Sequence, residues 1–445
     1  MPRRRRTWLA AGLAFSLLGL APVARADDAP ADSAQAQAPS GSGREVPAAR
    51  WPGPRRIDQI RVRGLIRTKE FVVRRELGFR EGDVITQEAF DLAITRLWNT
   101  TIFSRVQGHR EEEQGHTVCV LELEDRWTLN PLLGYGAGGS AFFFRLGAAD
   151  NNILGRFLEV QAQYQYFDGF HGGQVIVRDP RLLDERLELL VQAERLVRPR
   201  PGFSDQRTQL ISEVAKQHWQ DRMRFGFRVT AFMDRFLAPL DPPERFPAPT
   251  ETLVLSPTFR IGRVDTVRLR QSGASLEVRP GLGLTTSDVT GQYAQMIGEA
   301  MGFAMLGERF NLAMRVRAGT VSRVPEHLQL YVGGLDLLRG FRDNHLRTNV
   351  YALENAEVRF VAFDSTWVAL MPTVFADAVV SRNPVGVPRF DASAGAGLRV
   401  LVPKFVGSGL RADFATPLTQ AASFEVNLGV YQFFDASSVA KIESF

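Results

Sequence analysis

The sequence predicts a mostly β protein, in which a transmembrane antiparallel β-barrel of about sixteen strands follows one small N-terminal α+β domain. Two observations carry this prediction. From residue 127 to residue 434, the chain repeats segments of about ten residues in which apolar and polar side chains alternate. Beyond the first 26 residues, no apolar run reaches the ~18 residues that indicate a membrane-spanning helix.

The first 26 residues predict a secretory signal peptide. Arg3 to Arg6 form its positive start, and the apolar stretch from Trp8 to Ala21 is too short for a spanning helix. Ala24 to Ala26 provide a small-x-small cleavage site. The chain has 54 Lys+Arg and 49 Asp+Glu, and this segment contains five of the arginines and no acid, which leaves 49 of each. The excess of positive charge therefore belongs to the targeting segment and does not indicate nucleic-acid binding.

Residues 27–55 are rich in Ala, Pro, Ser, Gly and Gln, a composition that predicts a disordered leader. Residues 56–126 then predict a compact α+β domain with the order β-α-α-β-β. Thr68 is the expected N-cap of its first helix, and Gly78 is the expected end of that helix.

The second helix of this domain is expected to begin at Thr86, because an apolar stripe that includes Phe90 and Trp98 follows it at helical spacing. The single cysteine, Cys119, alternates with leucines on the last predicted strand. We expect it to be a buried structural thiol.

Residues 127–434 are expected to form the barrel, and residues 435–445 a C-terminal tail. A soluble sandwich also has alternating strands. Here the polar face is long and often rich in arginine, as where Arg222, Arg224 and Arg228 oppose Phe225 and Phe227. Such strands fit lipid outside and a water-filled lumen inside. The sheet has to close into a barrel, because hydrocarbon offers no hydrogen-bond partner to the unpaired backbone groups of an open edge.

No motif of the sequence supports an enzyme. Gly134–Gly139 matches a dinucleotide-binding pattern by letter, but no helix follows and no βαβ unit surrounds it, so glycines in a bent first barrel strand are the better interpretation. The six histidines show no metal-ligand spacing. We expect no catalytic activity, no cofactor and no metal site.

One connection, residues 322–347, has an unusual composition. It contains Gly333-Gly334, then an apolar run, then Arg339-Gly340-Phe341. Most barrel loops are polar, and a surface loop with a satisfied arginine is the simpler alternative. The apolar run favours a loop that packs against another part of the molecule.

Leu338–Phe341 after Gly333-Gly334 resembles the signature loop of the BamA/TamA superfamily of outer-membrane insertases and translocators, which includes the bacterial surface antigen family. Residues 56–126 resemble one POTRA (polypeptide-transport-associated) module, where family members often have several. Later segments resemble family strands in the family order: Asn355–Phe360, Phe375–Ala378, Gly395–Arg399, Leu410–Leu418 and Phe424–Phe434. The eleven residues after Phe434 depart from the family, whose chains usually end at that aromatic.

The resemblance implies that this loop folds down into the lumen. The Arg339 guanidinium would then meet Asp377, with Glu357 nearby, because a confined guanidinium needs a carboxylate partner. Gly340 would let the backbone pass close to the wall, and Phe341 would anchor the loop. The resemblance also implies a seam between the first and last strands, with a terminal-strand signal that includes Asn427, Gly429 and Phe434.

The implied function is insertion or translocation of polypeptides by strand addition at the POTRA domain and by a lateral barrel seam. The expected location is the outer membrane of a Gram-negative bacterium, with the POTRA domain in the periplasm. The expected partners are the outer-membrane lipid bilayer, unfolded polypeptide clients and periplasmic or lipoprotein accessory proteins, and no nucleic acid. Two alternatives remain open: a passive pore or structural surface antigen on the same fold, and a dedicated two-partner secretion transporter.

Overall fold

The computed structural model of the 445-residue chain describes residues 53–138, 141–167, 169–200, 202–219, 222–237, 248–267, 270–334, 337–365, 367–402, 409–420 and 425–430. The expected signal peptide, nearly all of the expected leader, Phe434 and the expected tail lie outside these residues. Neither helix of the described part is long and apolar enough to cross a bilayer.

An α+β region begins the described chain. Its elements are β1 (Arg55–Arg56), β2 (Gln59–Arg63), α1 (Glu70–Leu77), β3 (Val84–Ile85), α2 (Gln87–Asn99), β4 (Phe103–Glu113) and β5 (His116–Asp125). Strand β5 lies in the middle of a three-stranded sheet, parallel to β2 and antiparallel to β4. Strands β1 and β3 form a separate ribbon, which the sequence does not predict because two-residue strands show no alternation.

Both helices contribute to one apolar core with this sheet. Helix α2 begins where the sequence predicts, since the Thr86 hydroxyl accepts a hydrogen bond from the Ala89 N–H at 3.3 Å. Helix α1 ends at Gly78, whose φ of +77° is the left-handed conformation that glycine adopts most readily. Cys119 is fully buried in the same core, which confirms the expectation of a buried thiol.

The expected N-cap of α1 is wrong. The helix begins at Glu70, and its N-cap is Lys69, which makes no side-chain capping bond. The Thr68 hydroxyl instead donates a hydrogen bond to Oδ1 of Asp125 at 2.5 Å. Because Asp125 follows 57 positions later, a local capping rule cannot anticipate this competing partner.

A long series of strands follows the α+β region. These are β6 (Leu129–Gly138), β7 (Ala141–Ile153), β8 (Leu158–Phe167), β9 (Phe170–Asp179), β10 (Leu187–Arg200), β11 (Phe203–His218), β12 (Met223–Leu237), β13 (Thr250–Val267), β14 (Arg270–Thr285), β15 (Gln292–Leu306), β16 (Phe310–Val321), β17 (Leu330–Val332), β18 (Leu346–Thr348), β19 (Val350–Phe360), β20 (Phe363–Asp364), β21 (Ala369–Arg382), β22 (Pro388–Leu401), β23 (Gly409–Pro417) and β24 (Glu425–Val430). Short 3₁₀ turns occur at Leu182–Asp184 and Glu326–Leu328.

All of these strands except β17 and β18 form one antiparallel sheet, whose order places β24 beside β6 and closes it into a barrel. Apart from the two-residue β20, the described residues contribute sixteen strands to it, which confirms the expected number. Because neighbouring strands are antiparallel, their connections alternate between the two ends of the barrel. The α+β region precedes β6 at one end, and the β16–β19 connection lies at the other.

The barrel has polar residues inside and apolar residues outside, the reverse of a soluble protein. On β8, Glu159 and Gln163 are buried, whereas Tyr164 is 41% exposed. On β12, Arg224 is buried, and Phe225 is 46% exposed. This distribution fits a barrel surrounded by lipid.

The α+β region packs directly on the barrel. Phe157, in the turn between β7 and β8, is 5% exposed and belongs to the core of the α+β region. The Gly155 carbonyl of the same turn accepts a hydrogen bond from the Lys69 N–H at 2.9 Å. In the turn between β9 and β10, Arg181 Nη2 lies 2.7 Å from Oε2 of the buried Glu76 on α1. Two neighbouring turns therefore hold helix α1.

Candidate functional site

The connection between β16 and β19, residues 322–349, packs against inward-facing side chains of the barrel, and we call it the lumen loop. Strands β17 and β18 form a hairpin within it. Its apolar residues share one buried cluster with residues of β12, β13, β15, β19 and β21. From the loop, this cluster includes Val324, Leu328, Leu330, Val332, Leu337, Leu338, Phe341 and Leu346. Burial against the wall accounts for an apolar run that a surface loop would not carry.

The glycines singled out in the sequence lie where a side chain would not fit. At Gly340, φ is +83°, and an added Cβ would lie 3.2 Å from Cβ of Ala415 on β23. At Gly334, φ is +78°, and an added Cβ would collide with the Asp343 side chain. Gly333 has a φ of +149°, and an added Cβ there would lie 2.4 Å from the Arg342 carbonyl oxygen. Glycine permits these left-handed and crowded positions.

Arg339 is a fully enclosed charge of the loop, with 0% of its side chain exposed. Its Nε donates to Oδ2 of Asp377 at 2.8 Å, and its Nη2 donates to Oδ1 at 2.7 Å. Its Nη1 donates to Oε1 of Glu357 at 2.6 Å. The guanidinium also lies 3.5 Å from the ring centroid of Phe375. The structure thus places the loop arginine against both carboxylates that the resemblance names.

Strand parity and register put the two carboxylates together. Odd-numbered residues of β19 and β21 are buried inside the barrel, so Glu357 and Asp377 both point inward. Asp377 pairs with Asn355, two residues from Glu357 on the neighbouring strand. Side chains in that diagonal relation are near enough to share one long partner.

Three more buried charges, Arg359, Arg399 and Asp413, join the network, and the sequence argument did not name them. Arg359 Nε donates to Oε2 of Glu357 at 2.8 Å, and Arg399 Nη2 donates to Oε1 at 3.1 Å. Asp413 binds Arg399, and its Oδ2 lies 3.6 Å from Arg339 Nη1. Inward parity is a signal for each of them, but parity does not show which inward charges of different strands meet.

A second part of the lumen loop contacts another section of the wall. His327 Nε2 lies 3.0 Å from the Thr250 hydroxyl, at the start of β13. The Arg200 guanidinium, at the end of β10, lies 4.0 Å from the ring centroid of Tyr331. The Phe341 ring lies 4.7 Å from the His345 ring within the loop, in a tilted arrangement. The loop is therefore held from both the β19–β23 side and the β10–β13 side of the lumen.

This arrangement is suited to holding a segment in place. Glu357 and Asp413 are each engaged by more than one arginine, and Asp377 is bound by Arg339 through both of its oxygens. All three carboxylates are buried. Removal of one member would leave its partners as uncompensated buried charges, which is strongly unfavourable. Within the described residues, no group of three or more His, Cys, Asp or Glu side chains could hold a metal ion.

The seam between β6 and β24 lies close to this network in strand order. Strand β24 pairs with β23 through six residues, Glu425–Val430 with Leu410–Ala415. Asn427 lies opposite Asp413, and Gly429 lies opposite Arg411. Two of the residues expected at the seam thus pair with the strand that carries Asp413, and the third, Phe434, lies outside the described residues.

Two family models match the chain. Residues 249–434 match the Omp85 superfamily domain. Residues 55–121 match the POTRA model described as surface antigen variable number repeat. A comparison with curated proteins gives no match.

Solved structures show the same fold. The chain is similar to BamA from Haemophilus ducreyi lacking POTRA domains 1-3, with 17% identity, a TM-score of 0.55 and 85% of each chain covered. It is similar to CdiB from Acinetobacter baumannii, with 12% identity, a TM-score of 0.56 and coverage of 84% of this chain and 72% of that one. CdiB from Escherichia coli gives 12% identity, a TM-score of 0.56 and coverage of 84% and 76%.

The POTRA match falls on the α+β region, and the Omp85 match covers the barrel from the residue before β13 past its last described strand. The lumen loop and its charge network lie inside the second match. This chain therefore belongs to the BamA/TamA superfamily, also called Omp85, and carries a POTRA domain ahead of its barrel.

Proposed function

We propose that this protein inserts polypeptides into the outer membrane of a Gram-negative bacterium, or translocates them across it, without acting as an enzyme. The POTRA domain would lie in the periplasm and receive unfolded clients. The barrel seam would then open to admit a client strand, while the lumen loop keeps the remaining wall in shape.

The observation that carries this proposal is the Arg339 network. A passive pore has no need of a loop that fills its lumen, nor of buried ion pairs that fix the loop to the wall. Here the fully buried Arg339 ties the lumen loop to β19 and β21 through Glu357 and Asp377. A POTRA domain fixed at the mouth of the barrel is a second feature that a passive pore or surface antigen does not require.

The seam supplies a template for client strands. Strand β24 lies beside β6 where the sheet closes into a barrel. Gly429, which lies opposite Arg411 in the pairing of β24 with β23, has no side chain to pack. Separation of β6 from β24 would expose backbone N–H and C=O groups that can pair with an incoming strand.

The POTRA sheet offers open edges of the same kind. Among the described residues, β2 and β4 of the three-stranded sheet each pair with β5 and with no other strand. An extended client segment could add to such an edge through main-chain hydrogen bonds, which do not require a particular client sequence. The driving energy would come from strand pairing and from burial of apolar client surface in lipid.

Depletion of the protein, followed by proteomics of the outer membrane and of the medium, tests the proposal. Loss of many barrel proteins from the outer membrane would support insertion. Loss of one secreted protein would support a dedicated two-partner secretion transporter. Unchanged proteomes would contradict both and favour a passive pore or structural surface antigen.

A further inference from the structure

Three neighbouring turns at the POTRA end of the barrel share an unusual feature. The turn between β7 and β8 presents Leu154, the turn between β9 and β10 presents Leu183, and the turn after β11 presents Trp219. Their side chains are 75%, 81% and 68% exposed. Their φ angles are +55°, +58° and +49°, the left-handed conformation that side chains other than glycine rarely adopt.

The combination is costly in two ways. A large side chain in the left-handed region strains the backbone, and glycine or asparagine would relieve that strain at each position. A large apolar side chain exposed to water gains nothing from the hydrophobic effect. Three adjacent turns with both features form a surface that gains stability only when something apolar covers it.

The lipid-facing surface of the barrel continues into this rim. Each of the three turns leads directly into a strand whose first residue is apolar, namely Leu158, Leu187 and Met223. Three aromatic rings form a cluster next to the third turn. The Phe225 ring, which faces outward, lies 5.0 Å from the Phe259 ring and 6.1 Å from the His218 ring. Trp219 follows His218 directly, and tryptophan is enriched where a bilayer meets water.

We infer that Leu154, Leu183 and Trp219 form a rim that dips into the lipid leaflet on the POTRA side of the membrane. The ligand is phospholipid, whose acyl region would cover the two leucines while the indole lies at headgroup level. The inference goes beyond the proposed function, since it concerns how the protein sits in the bilayer whether it inserts clients or not.

The rim also places the POTRA domain relative to the membrane, because the same turns hold helix α1. Gly155, next to Leu154, binds the Lys69 backbone. Asp184, next to Leu183, lies 3.2 Å from Arg75 on α1. A rim embedded in the leaflet would therefore keep α1 at the membrane surface.

Lipid quenching of fluorescent labels tests the rim in the full-length protein. Single cysteines replace Leu154, Leu183 or Trp219 in a Cys119→Ala background and carry bimane. The protein is reconstituted in vesicles of phosphatidylethanolamine and phosphatidylglycerol that contain a nitroxide-labelled lipid. Val84→Cys, at a POTRA residue that is 66% exposed but lies outside the barrel turns, is the matched control. We expect the nitroxide-labelled lipid to quench bimane at the three turn positions and to leave the fluorescence of the label at position 84 unchanged.

Quenching at the turn positions no greater than at Val84 would overturn the inference, and it would leave the rim facing water or a protein partner. Native Trp219 provides a second readout in which no turn carries a label. Brominated phospholipid should quench part of the intrinsic tryptophan fluorescence. The fraction of the fluorescence that is quenched should be smaller in Trp219→Phe than in the wild type. If the quenched fraction in that variant equals that of the wild type, contact of Trp219 with lipid is also contradicted. Heat-modifiable electrophoretic migration shows that each variant is folded.

Discussion

The Arg339 guanidinium faces the Asp377 carboxylate edge to edge, with Nε–Oδ2 at 2.8 Å and Nη2–Oδ1 at 2.7 Å. Neither side chain has any exposed surface. This bidentate pair joins the lumen loop to β21, and the Arg339 backbone N–H adds a third bond to the same carboxylate at 3.2 Å. A loop that enters the barrel from one end is thereby fixed to the inner wall.

Arg339→Ala should lower barrel stability by about 3–5 kcal/mol, because it leaves Asp377 and Glu357 buried without their shared partner. Arg339→Lys should also destabilise, since an ammonium cannot form the planar bidentate contact. Urea titration, with the folded fraction followed by heat-modifiable migration, measures the free energy of unfolding of both variants.

Arg389→Ala is the matched control, because Arg389 pairs with Asp391 at 2.7 Å but is 44% exposed. Its loss should cost about 1 kcal/mol or less. Equal effects of Arg339→Ala and Arg389→Ala would contradict the network.

Glu357→Gln should be destabilising for a different reason. The Glu357 carboxylate accepts hydrogen bonds from Arg339, Arg359 and Arg399. The neutral amide of the glutamine variant would leave these three guanidinium groups without the negative charge of that carboxylate. In a double-mutant cycle with Arg339→Ala, the two effects should deviate from additivity by about 0.5–3 kcal/mol. Additive effects on the free energy of unfolding would show that the two residues act independently.

Gly340→Ala should weaken the anchoring of the lumen loop. The new Cβ would combine a φ of +83° with a contact of 3.2 Å to Ala415. Gly386→Ala is the control, since Gly386 has a φ of +93° but nothing within 4 Å of an added Cβ. Backbone strain of about 1–2 kcal/mol is common to both variants, so the excess loss in Gly340→Ala reports the close approach to the wall. Equal unfolding midpoints would argue against that approach.

Asp125 should make POTRA stability sensitive to acid. Burial acts to raise its pKa, but hydrogen bonds from Thr68, Arg67 and Ile66 outweigh burial and hold the pKa of the carboxyl below its ordinary value. A carboxyl with a lowered folded pKa contributes stability above its unfolded pKa of about 3.9, and that stability is lost as the pH falls through the folded pKa.

Asp125→Asn should therefore destabilise the POTRA domain at neutral pH, and its stability should fall less than that of the wild type when the pH drops towards 3. Amide hydrogen exchange of α1 at several pH values measures this. Parallel pH dependence in the two proteins would exclude Asp125 as the titrating group.

Cys119 should be unreactive in the folded protein. Burial in the POTRA core raises the pKa of its thiol to about 12, so the thiol stays protonated at pH 8. Maleimide labelling should be slow in the native state and fast in guanidinium chloride. Fast labelling of the native protein would mean that the POTRA core opens readily.

The barrel was accessible to sequence analysis because each strand shows its own two faces. Arg224 and Phe225 alternate in the sequence as they do across the wall, and β11, β19 and β21 show the same alternation. The lumen loop was accessible for another reason, since its Arg-Gly-Phe segment and apolar run resemble a family signature. Both signals lie within short stretches of chain.

What the sequence could not predict depends on contacts between distant segments. Thr68 has a side chain that suits an N-cap, but its hydroxyl donates a hydrogen bond to Asp125 instead. Phe157 belongs to a barrel turn, yet it completes the POTRA core. Arg399 and Asp413 show inward parity, but only the barrel register brings them to Glu357 and Arg339. Alternation gives the face of a side chain and not its partner.

Reconstitution measures most directly whether this barrel helps other polypeptides enter a membrane. The purified protein is placed in phospholipid vesicles, and a small outer-membrane barrel protein is added from urea while its folding is followed by heat-modifiable migration. We expect faster folding than in empty vesicles, an undiminished effect with Arg389→Ala, and a reduced effect with Arg339→Ala. Folding of the client at the rate seen in empty vesicles, with the wild-type protein present and folded, would contradict the proposed insertion activity.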